Sequence, residues 1–320
     1  MRRLKILTWH VHGSYLYNLV QAPHDFFLPT KPGKPEGYGG RSGHFPWPDN
    51  VVDVPAEAVK NGEYDVILYQ SHQNYLIDQY EILSPKQRTQ PRIYLEHNTP
   101  RPSPTDTRHP VDDPRVLLVH CSYYNEVMWD NGKTPTLVVE HGVLVPPDLR
   151  WNGERERGIT VINGLSKRGR LAGADIFLAM RRQIPLDIAG MGSEKFGGLG
   201  DLPHRNLHET ETRYRFFFNP IRYTSLPLSV LEAMALGLPI VALATTEVPR
   251  AIPNGEAGFV SNNRAELADG MRRLLADPGL AKKLGKRARA IARETYGIER
   301  FVKNWNLALE KAVELCGASR

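Results

Sequence analysis

The sequence predicts an α/β protein with two doubly wound parallel sheets, one after the other along the chain. The chain has 320 residues, which is more than the roughly 250 to 300 residues that one hydrophobic core normally supports. Short β-branched runs alternate with helical patterns through most of it, which is typical of βαβ units. A polar stretch over residues 146–158 separates two such series and predicts an interdomain linker. We therefore expect two domains with a ligand site between them.

Apolar runs give the strands in order. The first series predicts strands at residues 4–11, 65–69, 92–96, 116–120 and 137–140, and the second predicts strands at 159–162, 186–189, 215–218 and 240–242. Two stretches rich in Gly and Pro, residues 29–50 and 98–114, are expected to be long loops of the kind that often form lids or binding loops. The predicted domains are an N-terminal one over 1–147 and a C-terminal one over 148–303, and a last helix over 304–320 is able to cross back to the first domain.

The composition indicates a folded, water-soluble chain. It is 41% hydrophobic and 24% charged, a balance that excludes a disordered or a membrane-spanning chain. No apolar run approaches the roughly 18 residues of a transmembrane helix, and no secretory h-region follows Met1. Cys121 and Cys316 are too few for a disulfide framework or a cysteine metal site. We expect a cytoplasmic protein, with the inner face of the membrane as an alternative location.

The net charge of +6 comes from 41 Lys and Arg against 35 Asp and Glu, and the whole excess lies near the C-terminus. From Arg264 onward the chain has 13 basic and 7 acidic residues, whereas the remainder is neutral. The basic face of a helix predicted there fits either solvent or anionic lipid. Nucleic acid is disfavoured as a partner, because no aromatic residues interleave with the cations and no binding motif is present. This helix covers residues 278–294, with Leu280, Leu284, Ala288 and Ile291 on its apolar face and Lys282, Lys286, Arg289 and Arg293 on its basic face.

The segment 216–241 carries the chemistry most directly. An apolar strand ends at Asn219, and a helix is predicted to begin near Thr224 or Ser225, two good capping residues, with Pro227 in its first turn. A helix N-terminus at the carboxyl end of a parallel strand is an anion site, to which both hydroxyl groups would add donors. Glu232 lies about two turns into this helix. Its carboxylate would accept hydrogen bonds from a vicinal diol such as ribose, or would make a structural hydrogen bond.

Two adjacent segments carry a family resemblance. Leu231–Ala235 (LEAMA) and Gly237–Val241 (GLPIV) resemble the nucleotide-sugar signature of the retaining family-four glycosyltransferases, also called glycosyl transferases group 1. The resemblance covers nearly all of the second half of the chain and, more weakly, the strand ends of the first half. It implies the GT-B fold, with two facing Rossmann-like domains and a cleft between them. Three further segments agree in order and spacing: VEHGV at 139–143, IAGMG at 188–192 and EAGFV at 256–260.

Two departures from the family pattern concern the donor sugar. The family has a glutamate eight residues before Glu232, near the transferred sugar, and this chain has Thr224 there. The glycine-rich stretch of the family is reduced to residues 225–228. The resemblance assigns Glu232 to the ribose, and Thr224, Ser225 and Leu226 are the expected donor-binding residues of the turn. Thr224 and Glu232 are also expected catalytic-site residues, while the anomeric outcome, retention or inversion, stays open.

The loop after the first strand of the second domain, residues 163–175, is locally basic. In the family an Arg and a Lys of this loop face the donor diphosphate, where a cation offsets the charge that grows on the leaving group. A solvated basic turn is the alternative reading of these cations. The donor-binding candidates are Asn163, Gly164, Lys167, Arg168 and Arg170 in the loop, and Gly190 and Gly192 after the next strand.

The first domain offers two more candidates by the same resemblance. His97 follows a predicted strand and matches a family histidine that touches the donor sugar, so it is an expected catalytic-site residue, although a loop histidine often has a structural role. Gly13 occupies the glycine-loop position, but Ser14 follows it where the family has a second glycine. His10 and His12 lie on one face of a strand without a third ligand nearby, so they do not indicate a metal site.

The resemblance implies a retaining glycosyltransferase that moves a sugar from a nucleoside-diphosphate donor to a cell-envelope glycan or a lipid-linked acceptor. No Asp-x-Asp triplet is present to hold a cation against the diphosphate. We therefore expect no metal and no cofactor beside the donor substrate. Two alternatives stay open, a non-catalytic partner that binds sugar nucleotides and a sugar-nucleotide epimerase of the same fold. The base, the sugar, the acceptor and the oligomeric state are unassigned.

Overall fold

The computed structural model describes residues 2–318 of the chain and divides it into two compact units. The first unit combines the chain up to Gly142 with the segment from Ile298 onward, and the second unit is Val143–Gly297. The domain boundaries predicted from the sequence, after residues 147 and 303, lie a few residues later than the boundaries after Gly142 and Gly297 in the structure.

The first unit contains a seven-stranded sheet in which every pairing is parallel. Its strand order is β3-β2-β1-β4-β5-β6-β7. This is the doubly wound order, in which the first three strands run from the middle of the sheet to one edge and the later strands run from the middle to the other edge. Short 3₁₀ and π segments lie at 56–61, 74–78 and 87–89. The elements are β1 (Lys5–Thr8), α1 (Gly13–Leu19), β2 (Asp25–Thr30), β3 (Val51–Pro55), β4 (Val66–Tyr69), α2 (Gln79–Ile82), β5 (Arg92–Glu96), β6 (Val116–His120), α3 (Tyr123–Met128) and β7 (Thr136–Val138).

Two strands of this sheet, β2 and β3, escape sequence prediction. Pro29 and Thr30, assigned to a loop by composition, are the last residues of β2. Pro29 is tolerated because β1 pairs only with the earlier residues Asp25–Phe27, so no partner on that side needs its missing amide. β3 is mostly exposed and therefore shows no apolar run. The other Pro-rich stretch, residues 98–114, is a loop as predicted, without a helix or strand.

The second unit contains a five-stranded parallel sheet in the order β12-β11-β10-β8-β9. The central strand β10 is buried along its whole length, with Phe216, Phe217 and Phe218 in the core. The elements are β8 (Arg155–Val161), α4 (Leu165–Arg168), α5 (Ala174–Arg181), β9 (Leu186–Ala189), α6 (His204–Thr212), β10 (Tyr214–Asn219), α7 (Leu228–Leu236), β11 (Ile240–Ala242), α8 (Val248–Ala251), β12 (Gly258–Val260), α9 (Arg264–Ala276) and α10 (Pro278–Tyr296).

The predicted linker is wrong in its last four residues, which begin β8. Arg155 pairs in register with Tyr214, and the Arg157 guanidinium donates to both carboxylate oxygens of Asp187 at 2.9 and 2.7 Å. Polar residues thus occupy a strand because their partners lie on neighbouring strands, which local composition does not reveal. β12 also went unpredicted, since it has only three residues and begins with a glycine.

Helix α10 confirms the predicted amphipathic pattern with one correction. The Asp277 side chain caps it by accepting from the Leu280 amide at 2.9 Å, and Leu284, Ala288 and Ile291 are buried. Arg289 does not lie on the exposed basic face. It is half-buried, near the position that a Cβ on Gly237 would take. Its pKa is lowered by burial and then by Arg150 and Arg293.

The last helix, α11 (Ile298–Ala318), packs on α1, β4, β5 and β6 of the first unit. Trp305 is fully buried, and its Nε1 donates to the Tyr15 hydroxyl at 3.2 Å. A Cβ placed on Gly142 would lie 2.3 Å from the Cβ of Phe301, so only a glycine allows this approach. Within residues 2–318, no helix has the length and apolar character needed to cross a membrane.

Buried His120, the last residue of β6, predicts a pH dependence of stability. Its Nε2 donates to Asn131 Oδ1 at 2.9 Å, and burial lowers its pKa to about 4. Below pH ~6.5 the unfolded chain takes up a proton that the folded chain excludes, so the free energy of unfolding falls between pH ~6.5 and pH ~4. At pH 5 this loss is about 2 kcal/mol for one such histidine.

Chemical denaturation at pH 7 and pH 5 measures this effect. His120→Gln removes the titrating group and is expected to make the loss between the two pH values smaller by about 2 kcal/mol. An identical loss in the variant and the parent protein contradicts the prediction.

Candidate functional site

The candidate site of the second unit lies at the carboxyl ends of β8 and β10, which are neighbours in the sheet. The loop after β8 contains α4 and ends at α5, and the turn after β10 leads into α7. Carboxyl ends of adjacent parallel strands are where doubly wound sheets bind ligands.

The two loops approach each other through their backbones. Gly173 has φ +79°, and a Cβ there would lie 2.0 Å from the Pro220 carbonyl oxygen. The Arg222 amide donates to the Leu171 carbonyl at 3.0 Å. Since a side chain at position 173 would collide with backbone, the chain needs glycine there to bring the loops together.

Asp175 fixes this approach electrostatically. The Arg222 guanidinium donates to both of its carboxylate oxygens, at 2.6 and 2.7 Å, and Arg170 donates to one of them at 2.9 Å. These bonds, that of Arg222 foremost, lower the pKa of Asp175 to about 2. Arg170, predicted as a phosphate ligand, is therefore already paired with Asp175. Arg222 was missed by sequence reasoning, because its partner lies 47 residues away.

The other two predicted cations lie in the last turn of α4. Lys167 is exposed, and in the described part of the chain it has neither a hydrogen bond nor an ion pair. Arg168 is partly buried. Lys167 is thus the cation of this loop whose charge stays available to a ligand.

The predicted asparagine and glycines join the β8 and β9 loops. Asn163 Oδ1 accepts from the Met191 amide at 2.9 Å, and the Gly164 amide donates to the Met191 carbonyl at 2.8 Å. Gly190 has φ +113°, and a Cβ there would lie 2.7 Å from the Ile162 carbonyl oxygen. Gly192 has φ +77° with open space around it. These four residues support the loop geometry, and none of them is a charged ligand.

The predicted cap of α7 is wrong. The helix begins at Leu228, and its N-cap residue, Pro227, makes no side-chain cap hydrogen bond. The residue before a proline is pushed out of the helical region, so the helix cannot start upstream at Thr224 or Ser225. Thr224 is partly buried in the turn, whereas Ser225 is fully buried and its carbonyl accepts from Thr246 Oγ1 at 3.0 Å. The Leu226 side chain is buried in the core of the unit.

Glu232 lies on α7 with 5% of its surface exposed and faces two histidines of α6. His204 Nε2 is 3.9 Å from its Oε1, and His208 Nε2 is 3.7 Å from its Oε2. Burial, and then His208, lower the pKa of His204 to about 4. On the same helix, burial and the charge of Glu232 raise the pKa of Glu211 well above its usual range. Sequence reasoning missed both histidines, although their i, i+4 spacing is a visible signal.

The first unit holds its own cluster of candidates. His97 follows β5 and donates from Nε2 to Gln70 Oε1 at 3.2 Å, and its ring centroid lies 4.2 Å from that of His12. Burial, and then His12 and His141, hold the pKa of His97 well below its usual range, so this imidazole is neutral at pH 7. Gly13 begins α1, and a Cβ there would lie 2.8 Å from Phe45. Gly13 therefore accommodates an aromatic side chain of its own unit.

Comparison with known proteins relates most of the second unit to one family. Residues 189–291 match the family model described as Glycosyl transferases group 1. Most of the second unit is therefore similar to this family. An uncharacterized glycosyltransferase of Haemophilus influenzae is 37% identical over 89 residues, which are 27% of this chain and 25% of that protein.

Solved structures agree over almost the whole chain. Sucrose-phosphate synthase from Thermosynechococcus elongatus has a TM-score of 0.68 at 15% identity, covering 97% of this chain and 99% of that one. Anabaena Alr3699/HepE, solved in complex with UDP, has a TM-score of 0.65 at 13% identity, covering 97% and 100%. The predicted fold class is confirmed: both units are Rossmann-like, and the fold is GT-B.

Gly173→Ala tests the contact between the two loops. The substitution combines a positive φ with a collision against the Pro220 carbonyl, and we expect it to lower the free energy of unfolding by about 2 to 4 kcal/mol. Gly255→Ala is the matched control, because Gly255 has φ +80° but a Cβ added there would have no described atom within 4 Å. The control should cost about 1 kcal/mol. Equal losses in denaturant unfolding of the two variants contradict a close approach at Gly173.

Proposed function

We propose that the protein is a glycosyltransferase that moves a sugar from a nucleoside-diphosphate donor to a hydroxyl-bearing acceptor. One observation carries the proposal. The basic helix α4 follows β8, and α7, which contains Glu232, follows the neighbouring strand β10. Helix α7 lies in the part of the chain that matches the glycosyl transferases group 1 family. Amides, a cation and a carboxylate at adjoining strand ends are the groups that a diphosphate and a ribose require.

The diphosphate is proposed to bind at the N-terminus of α7. The N-cap residue Pro227 makes no side-chain cap hydrogen bond, and the Val230 amide donates to the Pro227 carbonyl at 3.1 Å, so the Leu228 and Ser229 amides are the proposed donors to the anion. Ser229 Oγ donates to the Val161 carbonyl at 3.2 Å, which ties this turn to the end of β8. Lys167 lies in the loop that follows. Its ammonium group would offset the charge that grows on the leaving diphosphate, and the proposal needs no metal ion there.

The sugar end of the proposal depends on Thr224. Its hydroxyl can hydrogen-bond to a sugar but carries no charge, unlike the glutamate of the family pattern. Retention of the anomeric configuration follows from the resemblance and is part of the proposal. His97 remains a prediction from the same resemblance. The same threonine favours a second candidate function, a partner that binds sugar nucleotides without turnover.

The acceptor is proposed to bind the first unit. A cavity of about 510 Å³ there is lined by groups that follow β1, β2 and β4, among them Lys31, Glu36, Ser71 and His72. Hydroxyl, carboxylate and imidazole groups are suited to the hydroxyls of a glycan. We propose a cell-envelope glycan or a lipid-linked precursor as the acceptor.

Donor binding tests the proposal. UDP-, GDP- and ADP-sugars are added to the purified chain, and at least one is expected to raise the melting temperature. Glu232→Ala removes the hydrogen bonds to the ribose and is expected to weaken the binding of that donor 10- to 100-fold, because a hydrogen bond to a charged group is worth about 1.5 to 3 kcal/mol.

Lys167→Ala should weaken donor binding, because it removes the cation proposed to contact the diphosphate. Lys283→Ala, which changes an exposed lysine on α10, is the matched control. Failure of all three donors to stabilise the protein contradicts the proposed function. Donor binding without transfer to any acceptor and without hydrolysis favours the non-catalytic partner.

A peripheral membrane contact through α10 is a further part of the proposal. Lys282, Lys286 and Arg293 are exposed on one side of this helix, and each cation near an anionic surface contributes about 1 kcal/mol. Changing all three to Gln is expected to weaken binding to anionic phosphatidylserine vesicles at least tenfold, with phosphatidylcholine vesicles as the control. Unchanged binding assigns this face to solvent.

A further inference from the structure

Helices α6 and α7 of the second unit bring three metal-ligating side chains together. His204 and His208 lie one turn apart on α6, and Glu232 comes from α7. One ligand atom from each residue lies within 4.8 Å of the other two. Two imidazoles at i, i+4 on a helix with a carboxylate from a second helix form a nitrogen and oxygen set that zinc commonly accepts.

The distances in this cluster fit a shared cation better than direct hydrogen bonds. Glu232 lies 3.9 Å from His204 and 3.7 Å from His208, both beyond hydrogen-bond length. Tetrahedral zinc with bonds of about 2.0 to 2.2 Å holds its ligand atoms roughly 3.3 to 3.6 Å apart. The three ligand atoms lie within 4.8 Å of one another, so side-chain movements of about 1 Å would close the shell.

His208 gives an independent reason to expect a ligand. Its side chain is fully buried, and neither ring nitrogen has a hydrogen-bond partner among the described residues. Buried polar groups in proteins are almost always satisfied, and an orphaned imidazole that points toward a carboxylate needs an explanation. In the same part of the chain, the fully buried Glu211 on this helix also has no partner for either carboxylate oxygen. A cation would satisfy His208 and balance the negative charge of the buried Glu232 carboxylate.

We propose that His204, His208 and Glu232 form a binding site for a divalent transition metal of the zinc type. His204 is partly exposed, with 12% of its side chain accessible, which gives the metal an entry path and leaves a fourth position for water. The site is separate from the diphosphate, which the proposed function meets with amides and Lys167. Glu232 is also the proposed ribose ligand. A consequence that rests on the proposed function is therefore that metal and donor compete for one carboxylate.

Metal titration of the full chain tests the site. The protein is dialysed against a chelator, and Zn²⁺ is added in competition with a fluorescent chelator. One equivalent is expected to bind. His204→Ala and His208→Gln should each weaken binding at least 100-fold, whereas His44→Ala, which removes an exposed histidine of the first unit, should leave it unchanged. Co²⁺ in place of zinc should give the visible absorption of a tetrahedral site, and His204→Ala should abolish it.

The outcomes separate the site from the proposed function. No stoichiometric zinc, or an equal loss in the His44 and His204 variants, overturns the site. If His208→Gln fails to fold, the zinc affinity of His204→Ala still tests the site, because His204 is partly exposed. Zinc that weakens donor binding in the parent protein but not in His204→Ala supports the competition. One equivalent of zinc with no effect on a bound donor supports the site and overturns the ribose role of Glu232. If the protein binds a donor but no zinc, the metal site is overturned and the proposed function is not.

Discussion

The close contact between the loop after β8 and the turn after β10 is the constraint on which the candidate site depends. Gly173 permits it, because any Cβ at that position would collide with the Pro220 carbonyl. The bidentate pair of Arg222 and Asp175 then holds the two loops in place. Asp175 also binds Arg170, so the charge of Arg170 is used within the protein. Lys167, in the same basic loop, keeps its charge for a ligand.

Proline decides what the start of α7 offers. Pro227 stops the helix from reaching back to Thr224, and as the N-cap residue it makes no side-chain cap hydrogen bond. The Leu228 and Ser229 amides of this helix start are the donors that we propose for an anion. The same turn is fastened to the end of β8 through Ser229. The helix start at Pro227 is thus the part of α7 that we propose to bind the diphosphate.

Burial changes the chemistry of Glu232. A carboxylate on an exposed helix would be an ordinary solvated charge, but here it meets two imidazoles and the buried Glu211. The low dielectric of this region makes each of these charges sensitive to its neighbours. A ribose or a metal ion could each satisfy the cluster, and the His204 and His208 side chains give the metal its nitrogen ligands.

The sequence by itself determined the fold class, most strands and the family resemblance of the second unit, because buried parallel strands show continuous apolar runs and the LEAMA and GLPIV segments are local in the chain. It also located Glu232 and the basic loop. Only the tertiary structure decided that Arg222 pairs with Asp175 and that His204 and His208 meet Glu232. These contacts join residues on different elements, so no local pattern contains them. The exposed strand β3 and the start of α7 likewise depended on neighbours rather than on propensity.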